Sequence, residues 1–301
     1  MLARVKRAML IVNPYSSAVT PRRVELVEEV LRDVVELTTE LTRGRGHATE
    51  LAAEAAERAD VLLVLSGDGT YNEAINGVGG HVPVGFLPGG GTSVLPRALG
   101  LPRDAVAAAR AIAAAIAANR TRVISLGRVK GRRFAFSAGI ALDAEAIRRF
   151  DARGRTADGR RPGDFAFAAT VLGVFAEARL RFEAVLEIAG AGRAAFVMVA
   201  NGSPYTFAGP LPLRLVDDVR FEDGLGFVAP RALRPATVPR LAARALRGRL
   251  GSDPAVLAGV DVDRIEVRCD RPLPLHADGE DLGDVEEAVF EAERGALAVL
   301  V

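Results

Sequence analysis

Two glycine-rich turns, Ser66-Gly67-Asp68-Gly69-Thr70 and Pro88-Gly89-Gly90-Gly91-Thr92, each follow directly on an apolar run of strand character, 61–65 and 82–87. Glycine lets backbone amides approach an anion closely, and such turns at the carboxyl ends of neighbouring strands make a phosphate cradle. Two in one short stretch point to a nucleotide site. Neither turn carries the lysine of a P-loop, and the first lacks the third glycine of a dinucleotide fingerprint. On its own, Gly67 to Thr70 also reads as an ordinary strand-to-helix turn in which Asp68 and Thr70 act as caps.

The pattern around these turns changes near residue 120. Before it, strand-like runs at 8–12, 61–65 and 82–87 alternate with helical stretches at 21–36, 46–58, 70–78 and 103–118. Thr20-Pro21 supplies the cap and first position of the first helix. Such alternation predicts a parallel sheet with helices on both faces. After Asn119, short runs at 121–129, 132–138, 182–188, 194–200, 225–229, 262–269 and 286–291 are separated by Gly, Pro, Asp and Asn turns. That spacing predicts an antiparallel sandwich or barrel, interrupted by helices at 165–179 and about 235–248. The expected division is 1–122 and 123–301, with a return of the last residues to the first domain left open.

Composition narrows the function classes. The 301 residues allow two domains, and 50% apolar content supports full cores. A net charge of +1 gives no bulk attraction to nucleic acid. Cys269 stands alone, so no disulfide framework is expected and a reducing compartment fits. The apolar run at 8–12 is too short for a signal segment, and the longest one, 165–176, falls well short of the roughly 20 residues that span a bilayer. The expectation is a cytoplasmic protein, with a peripheral position at the inner membrane surface and a homodimer both left open.

Further blocks occur in a fixed order. Asn13-Pro14-Tyr15-Ser16-Ser17 follows the first strand, Thr42 precedes Gly46-His47-Ala48, and the first turn runs straight into Tyr71-Asn72-Glu73-Ala74-Ile75-Asn76-Gly77. Arg97-Ala98-Leu99-Gly100-Leu101-Pro102 follows the second turn, and Asp223-Gly224-Leu225 and Asp278-Gly279-Glu280 come late. In this order the chain resembles the diacylglycerol kinase catalytic family, which contains bacterial lipid kinases and sphingosine kinases.

The resemblance implies a Rossmann-like N-terminal domain, a C-terminal β-sandwich that takes the lipid, and ATP in the cleft between them. It implies that Asn13, Thr42, Ser66, Gly67, Asp68, Gly69, Thr70, Asn72, Gly91 and Thr92 line the nucleotide. Asp223, with carbonyls near Arg220 and Leu225, matches a structural magnesium site, and Asp278 and Glu280 match the acidic pair that supplies the base. A lipid hydroxyl is a poor nucleophile, so an adjacent carboxylate that takes its proton suits the reaction. Asp68 inside a phosphate turn would repel ATP unless a cation or donor lay between, which suggests metal or water duty.

The chain departs from the family pattern at Ser17, Ser66, Ser93-Val94 and Ala141. The expected activity is ATP-dependent phosphorylation of a hydroxyl on diacylglycerol or a related amphiphile at a membrane surface. Two other readings are an NAD kinase-like enzyme, which shares the Gly-Asp-Gly-Thr turn, and a non-catalytic nucleotide- or lipid-binding relative. Composition alone makes Asp278-Gly279-Glu280 and Asp223-Gly224 ordinary turns, and gives His47 and His276 no role. The arginines of 148–161 read as solvated surface or as partners for anionic headgroups. Phe165, Phe167, Val171, Leu172, Val174 and Phe175 read as a buried helix side or a lipid-facing wall.

Overall fold

Thr20 and Pro21 start the first helix as their chemistry requires: the Thr20 hydroxyl accepts the Arg23 amide at 3.2 Å and Pro21 occupies the first turn. The structure, a computed structural model, describes residues 6–152, 164–209, 211–216 and 218–301, which divide into two compact units. The first comprises residues up to Ile124 together with Gly295–Val301, and the second Ser125–Arg294.

The first unit contains β1 (Lys6–Val12), α1 (Pro21–Arg32), β2 (Val35–Leu41), α2 (His47–Arg58), β3 (Val61–Ser66), α3 (Asp68–Gly77), β4 (Val84–Pro88), α4 (Val94–Ala98) and α5 (Ala105–Ala117). Its strands are parallel in the order β2-β1-β3-β4. Successive side chains of a strand point to opposite faces, and here both faces are covered. Ala8, Leu10, Val12, Leu63 and Leu65 pack with Val27, Leu31, Ala108 and Ile112 of α1 and α5. Met9, Ile11, Leu62 and Val64 are equally buried on the face that carries α2 and α3. The chain steps from β1 to β2 on one side and places β3 on the other, so the strand order switches between β1 and β3. Their carboxyl ends are the positions where open α/β sheets bind ligands.

The sequence reading ran the first helix to residue 36 and passed over β2. Asp33 caps the helix, and all seven residues of β2 pair with β1. An edge strand with one thinly covered face carries too little apolar alternation to stand out from an amphipathic helix. The short α4 also went unread.

The second unit holds β5 (Arg122–Val129, entering from the first unit), β6 (Arg132–Phe134), β7 (Ser137–Ile140), α6 (Leu142–Ala152), α7 (Asp164–Glu177), β8 (Leu186–Ile188) and β9 (Gly192–Ala194). It continues with β10 (Val197–Ala200), β11 (Thr206–Ala208), β12 (Leu211–Leu213), β13 (Leu225–Pro230), α8 (Val238–Leu246), β14 (Val256–Val262), β15 (Arg264–Ala277) and β16 (Glu280–Val299, ending in the first unit). The pairing is antiparallel, in the order β14-β13-β10-β7-β15-β16. β15 pairs with β8 through Val267–Cys269 and with β7 through Leu275–Ala277, and its register against β16 breaks between Arg268 and Leu273. Pro272 in that break has no amide to give to a ladder, so one strand changes partners, as a β-sandwich requires. Helices α6, α7 and α8 contribute to a second cluster around Met198, Val219 and Val228. α6 and β14 are further elements that the sequence reading missed.

Among the described residues no helix is long and apolar enough to cross a membrane. Val174 is buried in α7, whereas Leu172 is exposed, so that helix is not buried along the whole apolar series expected. The side chains of Phe165 and Phe167, and the basic stretch 153–163, lie outside the described residues. Arg148 and Arg149 are ion-paired, with Asp281 and Asp284 and with Glu145 and Glu177 respectively.

Candidate nucleotide and catalytic sites

The two glycine turns of the first unit pack backbone against backbone. A Cβ on Gly90 would lie 2.7 Å from the Gly67 Cα, and one on Gly89 would lie 3.0 Å from the Ser66 backbone. The Gly89 amide donates to the Ser66 carbonyl at 2.7 Å. Gly91 is different, because a Cβ there meets nothing nearer than the Ser17 hydroxyl at 4.0 Å. Gly89 and Gly90 are therefore required by the neighbouring loop, and Gly91 only by whatever approaches from outside.

A hydroxyl network ties the strand ends together. Asn13 Nδ2 and the Ser66 hydroxyl both donate to the Thr70 hydroxyl, at 3.0 and 2.8 Å, and Ser16 and Ser66 hydroxyls lie 3.1 Å apart. Ser66, a departure from the family pattern, is thus a member of this network. The Tyr71 hydroxyl sits 2.5 Å from the Ser66 carbonyl and 2.6 Å from that of Leu87, joining the ends of β3 and β4. Burial, followed by the charge of Asp68, holds its phenol well above the usual value, so it stays a donor. Thr42 is buried, and its amide donates to the Val12 carbonyl at 2.9 Å. Gly67 caps α3 with no side-chain bond, so the first-turn amides of that helix stand at the loop, the arrangement that attracts anions.

Asp68 serves as a cap, though for a different helix from the one its turn precedes. Its carboxylate accepts the amides of Val94 at 3.0 Å and Leu95 at 3.1 Å, capping α4 across the second turn. Glu73 likewise caps α2, accepting the Ala48 amide at 3.2 Å, while Asn72 is buried and its Oδ1 accepts from Asn76 at 3.2 Å.

In the second unit, the two carboxylates of Asp278-Gly279-Glu280 have different environments. Asp278 is 4% exposed and its oxygens accept the amides of Ala135, Phe136 and Ser137 at 2.6, 3.0 and 3.1 Å. It holds the β6–β7 turn. The same segment is gripped by buried Asn201, whose Nδ2 donates to the Ala135 carbonyl at 2.9 Å. Glu280 is partly exposed and pairs with Arg132 at 2.8 Å. Arg148 of α6 fixes the following turn through Asp281, at 2.9 and 3.1 Å.

Beside this turn lies a polar group that composition did not reveal. His276 Nε2 lies 2.8 Å from Asp143 Oδ2, which also accepts the Tyr205 hydroxyl at 2.6 Å. His276 is buried, and its Nδ1 has no partner. Gly139 makes room for the contact, since a Cβ there would lie 2.3 Å from Asp143 Oδ2. Ala141, at a position where the family pattern has glycine, takes a φ of +81° just before α6. Left-handed backbone costs a side chain roughly 1–2 kcal/mol.

Burial alone would raise the Asp143 carboxyl, but the charge and hydrogen bond of His276, with Tyr205 and the Ala144 amide, bring it below its usual range. A carboxyl depressed in the folded state adds stability that is present above its unfolded value and lost as the pH falls through the folded one. His276→Gln is therefore expected to lower stability near neutrality, to lose that effect at pH below the folded-state value of Asp143, and so to move the acid unfolding midpoint to higher pH. Acid denaturation followed by circular dichroism checks this, and an unchanged midpoint would rule out the His276 contribution.

The magnesium donors inferred from sequence do not gather as an open set. Asp223 takes Nε and Nη2 of Arg220 at 2.9 and 3.2 Å, and its amide donates to the Arg220 carbonyl at 3.1 Å. A guanidinium closes the carboxylate that a cation would need, and a positive charge there repels one. Leu225 belongs to β13 and pairs with Val262. Among the described residues no three His, Cys, Asp or Glu side chains form a metal-binding group. The Asp223 carboxylate expected to hold the ion is taken up by Arg220 in this structure.

Residues 7–129 match the model of the diacylglycerol kinase catalytic domain. The chain is 34% identical to the diacylglycerol kinase of Bacillus subtilis over 142 residues, 45% of this chain and 46% of that one. It is 36% identical to the diacylglycerol kinase of Staphylococcus saprophyticus over 141 residues, 43% of each chain. The matches thus span under half the length of these curated relatives. In fold, a diacylglycerol kinase structure from Bacillus anthracis superposes with a TM-score of 0.72 at 18% identity, covering 99% of this chain and 97% of that one. An NAD kinase from Archaeoglobus fulgidus in complex with ATP gives 0.54 at 14% identity, covering 98% and 93%.

The matched segment contains Asn13, Thr42, the Ser66–Asn72 stretch, Gly91 and Thr92, whereas Asp223, Asp278 and Glu280 lie beyond it. The residues that sequence reasoning passed over are Asp143, Tyr205, Asn201 and His276. Asp143 stands in Gly139-Ile140-Ala141-Leu142-Asp143 and His276 lies two positions before Asp278, so proximity to quoted motifs was the available signal.

Proposed function

We propose that this chain is an ATP-dependent lipid kinase that phosphorylates a hydroxyl of diacylglycerol or a related amphiphile. The observation that carries the reading is the mutual closure of the Gly67 and Gly90 turns at the carboxyl ends of β3 and β4, next to the switch point between β1 and β3, inside the segment that matches the diacylglycerol kinase catalytic domain. The ATP phosphates would lie on the first-turn amides of α3 and against Gly91, the glycine that no protein neighbour demands. Asn13, Ser66 and Thr70 keep the loop in place, and Asp68 holds the second turn through α4.

Of the acidic pair, we assign the base to Glu280. Asp278 is buried and accepts three backbone amides, whereas Glu280 is partly exposed and pairs with the side chain of Arg132. In the step proposed, the acceptor oxygen bonds to the γ-phosphorus and the bond to the β-γ bridging oxygen breaks. The hydroxyl proton passes to the Glu280 carboxylate, and ADP leaves with the electron pair.

The decisive assay incubates the protein with γ-labelled ATP and, separately, diacylglycerol, sphingoid base, ceramide, undecaprenol and NAD. Label is expected in a lipid, diacylglycerol foremost. Label in NAD alone would transfer the chain to the NAD kinase reading, and label in none would leave a binding protein.

A further inference from the structure

From residue 224 to 252 the chain contains no acidic residue and no lysine, yet it contains Arg231, Arg234, Arg240, Arg244, Arg247 and Arg249. Most of these stand on or beside α8, a helix with three distinct stripes. Val238, Leu241 and Ala245 pack into the second cluster of the unit. Arg240 and Arg244 lie on a second stripe, which Arg247 continues at the C-cap. Pro239, Ala242 and Leu246, spaced at i, i+3 and i+7, form a third stripe that is exposed. Leu246 is 77% exposed, the most of any large apolar side chain among the described residues.

The stripes are held in a fixed orientation. Arg240 and Arg244 converge on the fully buried carboxylate of Asp253, at 3.3 and 3.1 Å, and Arg234 pairs with Glu183. Two carboxylates thus answer six arginines. Among the described residues no carboxylate pairs with Arg247 or Arg249, and the Arg247 guanidinium turns back to the Ala243 carbonyl at 3.2 Å. Excess positive charge therefore collects at the end of the helix where Leu246 projects.

We propose that α8 and the turn after it are a docking surface for an anionic lipid bilayer. An exposed leucine ringed by arginines gains by lying at the headgroup boundary, where the apolar side chain enters the acyl region and the guanidinium groups meet lipid phosphates. A nucleic acid would use the charge and leave Leu246 and Ala242 in water. The surface deepens the lipid-kinase reading by placing this face at a membrane. Binding is measured without nucleotide, so its failure and the failure of the kinase reading are separate results.

The test floats the full chain with vesicles of phosphatidylglycerol and phosphatidylcholine, or of phosphatidylcholine alone, at low salt and at about 0.5 M, where screening is strong. Binding to the anionic vesicles alone, reduced by salt, is expected. Each basic residue near an anionic membrane is worth about fivefold in affinity, so Arg247→Glu/Arg249→Glu should weaken binding at least about 25-fold by the same rule. Leu246→Ser should weaken it several-fold without changing the salt dependence. A charge-matched control on α1 and α2, Arg22→Glu/Arg58→Glu, should bind as the parent does. Circular dichroism verifies folding, and Arg247→Gln/Arg249→Gln replaces the first variant if it fails. Equal binding to neutral vesicles, an equal loss in the control, or preferential binding of an RNA duplex over anionic vesicles would each overturn the proposal.

Discussion

Glu280→Gln is expected to lower kcat by about 10²–10⁴-fold, the usual cost of losing a general base, while thermal stability and ATP affinity stay near those of the parent. Glutamine keeps the length of the side chain and its bond from Arg132, so only the capacity to accept a proton disappears. Asp278→Asn should behave in the opposite way. Its Nδ2 would set a donor against the buried Ala135 amide that bonds Oδ2, leaving two buried donors unsatisfied, while the remaining oxygen still accepts from Phe136 and Ser137. Each buried polar group left unsatisfied costs about 1–3 kcal/mol, so a loss of about 3 kcal/mol or more is expected. At roughly 2–4 °C per kcal/mol for a chain of this size, the thermal midpoint should fall by about 6–12 °C. Measuring kcat and Tm on both variants separates the roles. A stable, inactive Asp278→Asn beside a fully active Glu280→Gln would reverse the assignment.

Gly90→Val is expected to abolish ATP binding and to lower stability as well. Its Cβ would sit 2.7 Å from the Gly67 backbone, which cannot yield as a flexible side chain could, so the two turns must part. Overpacking of this kind costs about 1–3 kcal/mol, and the cradle is lost with it. Gly91→Ala provides the contrast, because its Cβ meets nothing nearer than the Ser17 hydroxyl at 4.0 Å, an ordinary contact. It should leave Tm unchanged and weaken only nucleotide affinity, read by equilibrium binding of a fluorescent ATP analogue. If Gly90→Val bound ATP as well as the parent, the phosphate-cradle reading would fail.

The parallel sheet of the first unit was legible because its strands are buried on both faces. Runs such as 61–65 are continuous apolar segments that water excludes whatever else the chain does. The Thr20-Pro21 helix start and the glycine turns were legible for a similar reason, since cap chemistry and positive or crowded backbone act within a few residues. The edge strand β2 and the helices α4 and α6 were not legible. Val35–Leu41 becomes a strand by pairing with β1, and α4 is held by a carboxylate 26 residues earlier, Asp68. No local window contains those partners.

The same division runs through the functional residues. Sequence alone brought out Asp68, Asp278 and Glu280 as three carboxylates in acidic or glycine-rich turns, and by type they were interchangeable candidates for metal or proton work. Tertiary structure set them apart, because a carboxylate that accepts buried backbone amides is committed to holding the fold. Asp68 caps α4 and Asp278 holds the β6–β7 turn, while Glu280, partly exposed, pairs with the side chain of Arg132. His276 shows the converse. It has no ligand-like neighbours in sequence, yet the β7–β15 pairing and the room left at Gly139 bring it to Asp143, 133 residues away. Local chemistry chose the residue types and most of the elements; long-range hydrogen bonding and burial decided which carboxylates hold the backbone.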